Sequence, residues 1–131
     1  MRSYDIKLEV LLKTPKMGDY QKVYTANMMD LYWTPAQQLT HHTVTGCNMQ
    51  VGDMLGSGTI SGKEKGTYGS LLEITWGGKE PMTLEGGESR VFLQDGDSVI
   101  LRGYCQGEGY VIGFGDCEGT ISPALEDSEF F

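Results

Sequence analysis

The stretch that decides the fold, residues 55–76, reads LGSGTISGKEKGTYGSLLEITW. Glycine and serine recur at short intervals, which predicts two strands around a glycine-rich loop. In the first strand, residues 55–61, Thr59 and Ile60 lie between small residues. A missing side chain lets another backbone or a ligand come close at such a position. We therefore take Thr59 as a candidate site residue.

The second predicted strand, residues 70–76, has a period of two. Leu72, Ile74 and Trp76 share one face, so Leu71, Glu73 and Thr75 share the other. A carboxylate on that face is either solvated or committed to a partner, and the pattern leaves both open. Glu73 is the second candidate site residue.

The other strand signals are distributed along the whole chain. Apolar residues at alternate positions over residues 4–12 predict a strand with one buried face. A chain that begins almost inside a strand is expected to be a segment of a longer polypeptide. Further short strands are expected at residues 20–24, 89–93, 98–104, 110–114 and 120–121, with turns at 77–78, 85–88 and 95–97.

One helix is expected near residues 34–45. Thr34 supplies an N-cap hydroxyl, Pro35 suits the first helical position, and Gly46 ends the segment. Leu39 and Val44 lie on the stripe expected to pack against a sheet. The nineteen glycines leave little room for other long helices. The fold class is mainly β, a sandwich, roll or barrel of short strands.

Length and charge exclude several classes of protein. A chain of 131 residues fits a single domain or domain fragment over residues 1–131. A formal charge of −8 argues against nucleic acid and anionic membrane surfaces as partners, because both select basic patches.

The three cysteines, Cys47, Cys105 and Cys117, are odd in number and lack CxxC spacing. This pattern predicts reduced thiols and a cytoplasmic location.

Most catalytic and binding motifs are absent from the sequence. Adjacent His41 and His42 point about 100° apart on a helix, so a structural role is favoured over a two-histidine metal site. Asp95 and Asp97 flank a glycine, as turn residues do, without the further ligands of a calcium loop. No phosphate-binding glycine fingerprint and no GxSxG nucleophile elbow occurs.

Four segments together resemble the fumarylacetoacetase family. They read SGTISG with GSLLEITW, YWTPAQQLTHHTVTGCNMQVGD at residues 32–53, FLQDGDSVILRGYCQGEGY at 92–110 and IGFGDCEG at 112–119. The resemblance covers residues 3–124 in the family's order, while the loop at 63–68 and the acidic ending at 125–131 depart from it. It implies the C-terminal part of a metal-dependent hydrolase that cleaves fumarylacetoacetate, with a mixed β-sandwich roll and a homodimeric assembly.

The resemblance also assigns roles to the two candidates. Glu73 matches the glutamate that orients the catalytic histidine, and Thr59 matches a threonine that contacts substrate. Mg²⁺ or Ca²⁺ is implied for the intact enzyme, but its ligands, the histidine base and the cationic donors belong to the part of the family that precedes this segment. The chain alone is therefore expected to be inactive. The alternatives are a non-catalytic assembly or folding module, or a segment of a related acylpyruvate hydrolase or decarboxylase.

Overall fold

The computed structural model describes residues 3–126, and a four-stranded antiparallel sheet is its main element. The strands are β1 (Lys7–Lys13), β2 (Gln21–Asn27), β5 (Ser98–Gln106) and β6 (Val111–Thr120), in the order β2-β1-β5-β6. Two short strands, β3 (Met82–Thr83) and β4 (Ser89–Arg90), form a second antiparallel sheet. The mainly β prediction is confirmed.

Part of the core lies on one face of the large sheet, while Ile100 of β5 is buried on the opposite face. Leu12 of β1 faces Val99 of β5, and Tyr24 of β2 faces Val10 of β1. Leu12 and Tyr24 are buried. This face is the buried face that the alternation over residues 4–12 predicted.

The helix α1 (Pro35–Thr43) is confirmed, together with its start signal. The Thr34 hydroxyl accepts from the Gln37 N–H at 3.3 Å, and the Gln37 side-chain carbonyl accepts from the Thr34 N–H at 2.9 Å. These reciprocal bonds satisfy two N-terminal donors. The expected packing stripe is wrong, because Leu39 and Val44 are exposed and α1 buries none of its residues.

Both strands predicted within residues 55–76 are wrong. Residues 55–60 lie in no helix or strand, and Gly58 has φ +77°, which interrupts a strand. Residues 71–74 form the one-turn helix α2 (Leu71–Ile74), with Ser70 as its N-cap. Trp76 then takes φ +49°, so the chain cannot continue as a strand there either.

The remaining predictions are corrected in detail. Gly77 and Gly78 do not join two strands, because the Gly77 N–H bonds the Leu72 carbonyl at 2.7 Å and closes α2. The turn at 85–88 does join β3 to β4, although β4 is limited to Ser89–Arg90. The strands predicted at 110–114 and 120–121 are wrong as separate elements. Residues 111–114 and 120 belong to the single long strand β6, whose register to β5 shifts between Arg102 and Tyr104.

Candidate functional site

The segment that carries Thr59 is held by its neighbour, Ile60. The Tyr24 hydroxyl, on the inner face of β2, donates to the Ile60 carbonyl. On its other side Ile60 meets the backbone of Gly69, which has no Cβ to keep the two chains apart. A segment outside any sheet is thus fixed at one point by a side chain and by a close backbone approach.

The Thr59 side chain is exposed at the border of a groove of about 820 Å³. Leu8, Leu101 and Phe114 form much of the groove's apolar floor on the large sheet. A hydroxyl at the rim of an apolar groove can orient a small polar molecule through a single hydrogen bond. Thr59 is therefore placed where a substrate contact is possible.

Glu73 is the third residue of α2, and two hydroxyls hold its carboxylate. Ser61 Oγ donates to Glu73 Oε2 at 2.7 Å, and Ser70 Oγ lies 3.2 Å from the same oxygen. Ser70 Oγ also accepts from the Glu73 N–H at 3.3 Å as the N-cap of α2.

Ser61 connects the two candidates. It lies two residues after Thr59, and its Oγ accepts from the Gly69 N–H at 2.9 Å while donating to Glu73. The bond from Ser61 ties the Glu73 carboxylate to the segment that carries Thr59, fourteen residues earlier in the sequence. Both predicted strands were wrong, and Glu73 is not among the residues that line the groove bordered by Thr59.

The negative charge of Glu73 affects the pKa of Tyr24, whose phenol holds the Thr59 segment. The pKa of Tyr24 is raised, chiefly by burial and then by the negative charges of Glu73 and Asp30. The phenol therefore keeps its proton at neutral pH and can donate to the Ile60 carbonyl. Tyr24, Ser61 and Ser70 were all missed by the sequence analysis. One signal was available, because Ser70-Leu71-Leu72-Glu73 fits the S-x-x-E capping box.

The histidines lie elsewhere. His41 and His42 border a different groove of about 760 Å³, together with the aromatic pair Tyr32 and Trp33. His42 Nε2 lies 3.3 Å from Cys47 Sγ, and both residues are exposed. In the part of the chain that the structure describes, neither histidine hydrogen-bonds Glu73.

The turn at Asp95, Gly96 and Asp97 is confirmed, but Asp97 has a second role. It is fully buried, and its carboxylate accepts from Arg90 Nε at 2.8 Å and from a terminal Arg90 nitrogen at 2.9 Å. These bonds to Arg90 lower the pKa of Asp97. The pair ties the turn to β4 and, among the described residues, makes no hydrogen bond to Glu73.

Within residues 3–126, no group of three or more His, Cys, Asp or Glu side chains is arranged to hold a metal ion. Cys47, Cys105 and Cys117 are all free thiols. In the same range, no helix combines the length and apolar character needed to cross a membrane.

Comparison with known proteins defines the class. Residues 2–122 match the family described as fumarylacetoacetate (FAA) hydrolase C-terminal. The chain belongs to this family.

Named relatives lie close in sequence. The chain is 57% identical over 124 residues to fumarylacetoacetase from Dictyostelium discoideum, covering 93% of this chain. It is 52% identical to the fumarylacetoacetases of Homo sapiens and Arabidopsis thaliana, with 94% and 93% of this chain covered. The chain spans 29% of the length of each of these relatives.

Proposed function

We propose that this chain is the C-terminal part of a fumarylacetoacetase, a cytoplasmic homodimeric hydrolase of tyrosine and phenylalanine breakdown. The enzyme cleaves a carbon–carbon bond of fumarylacetoacetate to give fumarate and acetoacetate. Family membership and the names of the relatives support this activity over that of an acylpyruvate hydrolase or a decarboxylase. The observation that carries the proposal is the exposed Glu73 carboxylate, held by two hydroxyls beside the Thr59 segment.

The reaction needs an activated water. Water adds to a carbonyl carbon of the β-diketone, and the carbon–carbon bond then breaks with its electron pair on the leaving carbon, which takes up a proton. A base must remove a proton from the attacking water. In the proposal a histidine from outside this segment is that base, and Glu73 accepts a hydrogen bond from its ring. The carboxylate fixes the tautomer of the histidine and stabilises its protonated form.

Thr59 has a different role in this scheme. Its hydroxyl hydrogen-bonds the substrate at the rim of the groove, while Tyr24 and Gly69 fix the backbone beside it. This contact is made in the bound ground state as well as in the transition state. It contributes mainly to substrate affinity.

The intact enzyme is proposed to use Mg²⁺ or Ca²⁺, which supplies Lewis-acid polarisation of the diketone oxygens when bound. The residues at 3–126 do not fit the ligand set of such an ion. The ligands, like the histidine base, are therefore assigned to the part of the enzyme outside this segment. The 131-residue chain alone is expected to be inactive and to contribute Glu73, Thr59 and their supports.

Glu73→Gln in the full-length enzyme is the test. The amide keeps the shape but loses the negative charge, so kcat should fall about 10- to 100-fold with little change in KM. Steady-state hydrolysis of fumarylacetoacetate measures both constants. Glu80→Gln, at an exposed glutamate beyond α2, is the matched control and should leave both constants unchanged. A wild-type kcat in Glu73→Gln would assign Glu73 to the solvated surface.

A further inference from the structure

The two oxygens of the Glu73 carboxylate have different surroundings. Oε2 is within hydrogen-bond distance of both Ser61 Oγ and Ser70 Oγ, at 2.7 and 3.2 Å. Over residues 3–126, no side chain or backbone group donates to Oε1. An ionised carboxylate accepts on both oxygens, so Oε1 keeps its capacity for one further donor.

The direction of both hydroxyl protons follows from their other bonds. Ser61 Oγ accepts from the Gly69 N–H at 2.9 Å, and Ser70 Oγ accepts from the Glu73 N–H at 3.3 Å. A hydroxyl has only one proton, and in each serine a backbone N–H already occupies a lone pair. Both protons are therefore available to Glu73 Oε2, where charge-assisted bonds are favoured.

We propose that Ser61 and Ser70 are positioning residues that occupy Oε2 and direct Oε1 of Glu73 toward the base. This inference rests on the proposed function, in which Glu73 receives a hydrogen bond from a histidine. Because Ser61 approaches from the Thr59 segment and Ser70 from α2 itself, the carboxylate is clamped between two parts of the chain. The clamp restricts the rotation that would otherwise exchange its two oxygens.

Ser61 is the better test of the two serines. Ser70 also caps α2, so its removal would mix helix stability with positioning. In the full-length enzyme, Ser61→Ala should lower kcat about tenfold, because a hydrogen bond to a charged group is lost, and KM should change less than twofold. Ser61→Thr keeps the hydroxyl and should restore most of kcat. Ser57→Ala is the control, since Ser57 Oγ donates to the neighbouring Gly58 carbonyl at 3.0 Å and not to Glu73.

A double-mutant cycle separates positioning from a general loss of structure. In a Glu73→Gln background, Ser61→Ala should lower kcat by less than twofold, because the charge that Ser61 positions is already gone. If the kcat of the double variant instead falls by the product of the two single losses, the inference is overturned. If Ser61→Ala does not fold, Ser61→Cys replaces it, because a thiol is a weaker donor than a hydroxyl. Equal kcat values for Ser61→Cys and Ser61→Thr would then overturn the inference.

The cycle also distinguishes this inference from the proposed function. A wild-type kcat in Glu73→Gln would remove the base-orienting role, and the positioning role with it. A low kcat in Glu73→Gln together with a wild-type kcat in Ser61→Ala would remove the positioning role alone. The expected result is that kcat falls in both single variants and falls little further in the double variant. Ser61→Thr should restore most of kcat.

Discussion

Gly69 lies so close to Ile60 that a Cβ on Gly69 would be 2.6 Å from the Ile60 carbonyl oxygen and 2.9 Å from its nitrogen. Both atoms belong to the backbone, so no flexible side chain can move aside. The same Ile60 carbonyl accepts from Tyr24, and the Gly69 N–H donates to Ser61. The contact therefore fixes the Thr59 segment against β2 and against the chain that leads into α2.

Gly69→Ala is expected to destabilise the 131-residue chain by about 2 kcal/mol, the usual range for a group forced into a packed site. The added methyl must push the Ile60 backbone away and strain its bond to Tyr24. Urea unfolding followed by tryptophan fluorescence measures the change. Gly56→Ala is the matched control, because a Cβ there would meet nothing within 4 Å. Equal midpoints for the two variants would contradict the contact.

Thr59→Val in the full-length enzyme should raise KM about fivefold and leave kcat within twofold. Valine keeps the shape of threonine but removes one hydrogen bond to the substrate, worth about 1 kcal/mol. Initial rates over a range of fumarylacetoacetate concentrations separate the two constants. Thr83→Val, at an exposed position of β3, is the control. A KM equal to that of the wild type in Thr59→Val would remove Thr59 from the site.

The Arg90 and Asp97 pair makes stability depend on acidic pH. The pKa of Asp97 is lowered in the folded chain, first by its bonds to Arg90 and also by the Gln94 N–H at 2.9 Å. The unfolded chain has the ordinary value of about 3.9. A lowered folded pKa means that the contribution is fully present above about pH 4 and is lost as the pH falls through the folded value.

Asp97→Asn should therefore cost about 3 kcal/mol at pH 7, because it removes the carboxylate that accepts two bonds from buried Arg90 and leaves Glu88 Oε2, 3.6 Å away, as the remaining counter-charge. The difference from wild type should shrink as the pH is lowered below about 4, where Asp97 itself takes up a proton. Urea unfolding at a series of pH values measures it. Asp95→Asn, at the exposed aspartate of the same turn, is the control and should change stability by less than about 0.5 kcal/mol. A cost that is independent of pH would contradict the ion pair.

The sequence predicted the bounds of α1 well because its start signals, Thr34 and Pro35, and its end signal, Gly46, are all local. Thr34, Pro35 and Gln37 together form a start that needs no tertiary partner. At α2 two local patterns compete over the same residues. The alternation of Leu72, Ile74 and Trp76 indicates a strand, whereas Ser70 and Glu73 form a helix start. In the structure Ser70 Oγ accepts from the Glu73 N–H, and this bond satisfies one backbone donor of the first turn.

The site was predictable only in part. Thr59 and Glu73 were candidates from the residue pattern, the resemblance to a family supplied their roles, and those roles are proposals. Ser61 could not be found from the sequence, because it meets Glu73 across a twelve-residue separation that depends on how Gly69 packs on Ile60. Asp97 was correctly predicted as a turn residue, but its burial against Arg90 depends on how β4 and the turn fold back on each other.

One edge of the large sheet is formed by β6, the longest strand. Within the described part of the chain, β6 pairs only with β5, so the backbone groups along its other side have no strand partner. All ten of its residues are exposed, and the Phe114 side chain is 65% accessible. An open edge beside exposed apolar side chains is a template for pairing with another chain.

The 131-residue chain is therefore expected to self-associate through β6. Light scattering coupled to size-exclusion chromatography over a concentration series should show the mean mass rising from that of one chain. Phe114→Lys places a charge on the edge and should shift the rise to higher concentration by about tenfold, because charged side chains at an edge oppose strand pairing. Val51→Lys, in an exposed turn, is the control and should behave as the wild type. A chain that stays monomeric at the highest concentration, or a Phe114→Lys variant that associates like the wild type, would show that β6 is not the contact.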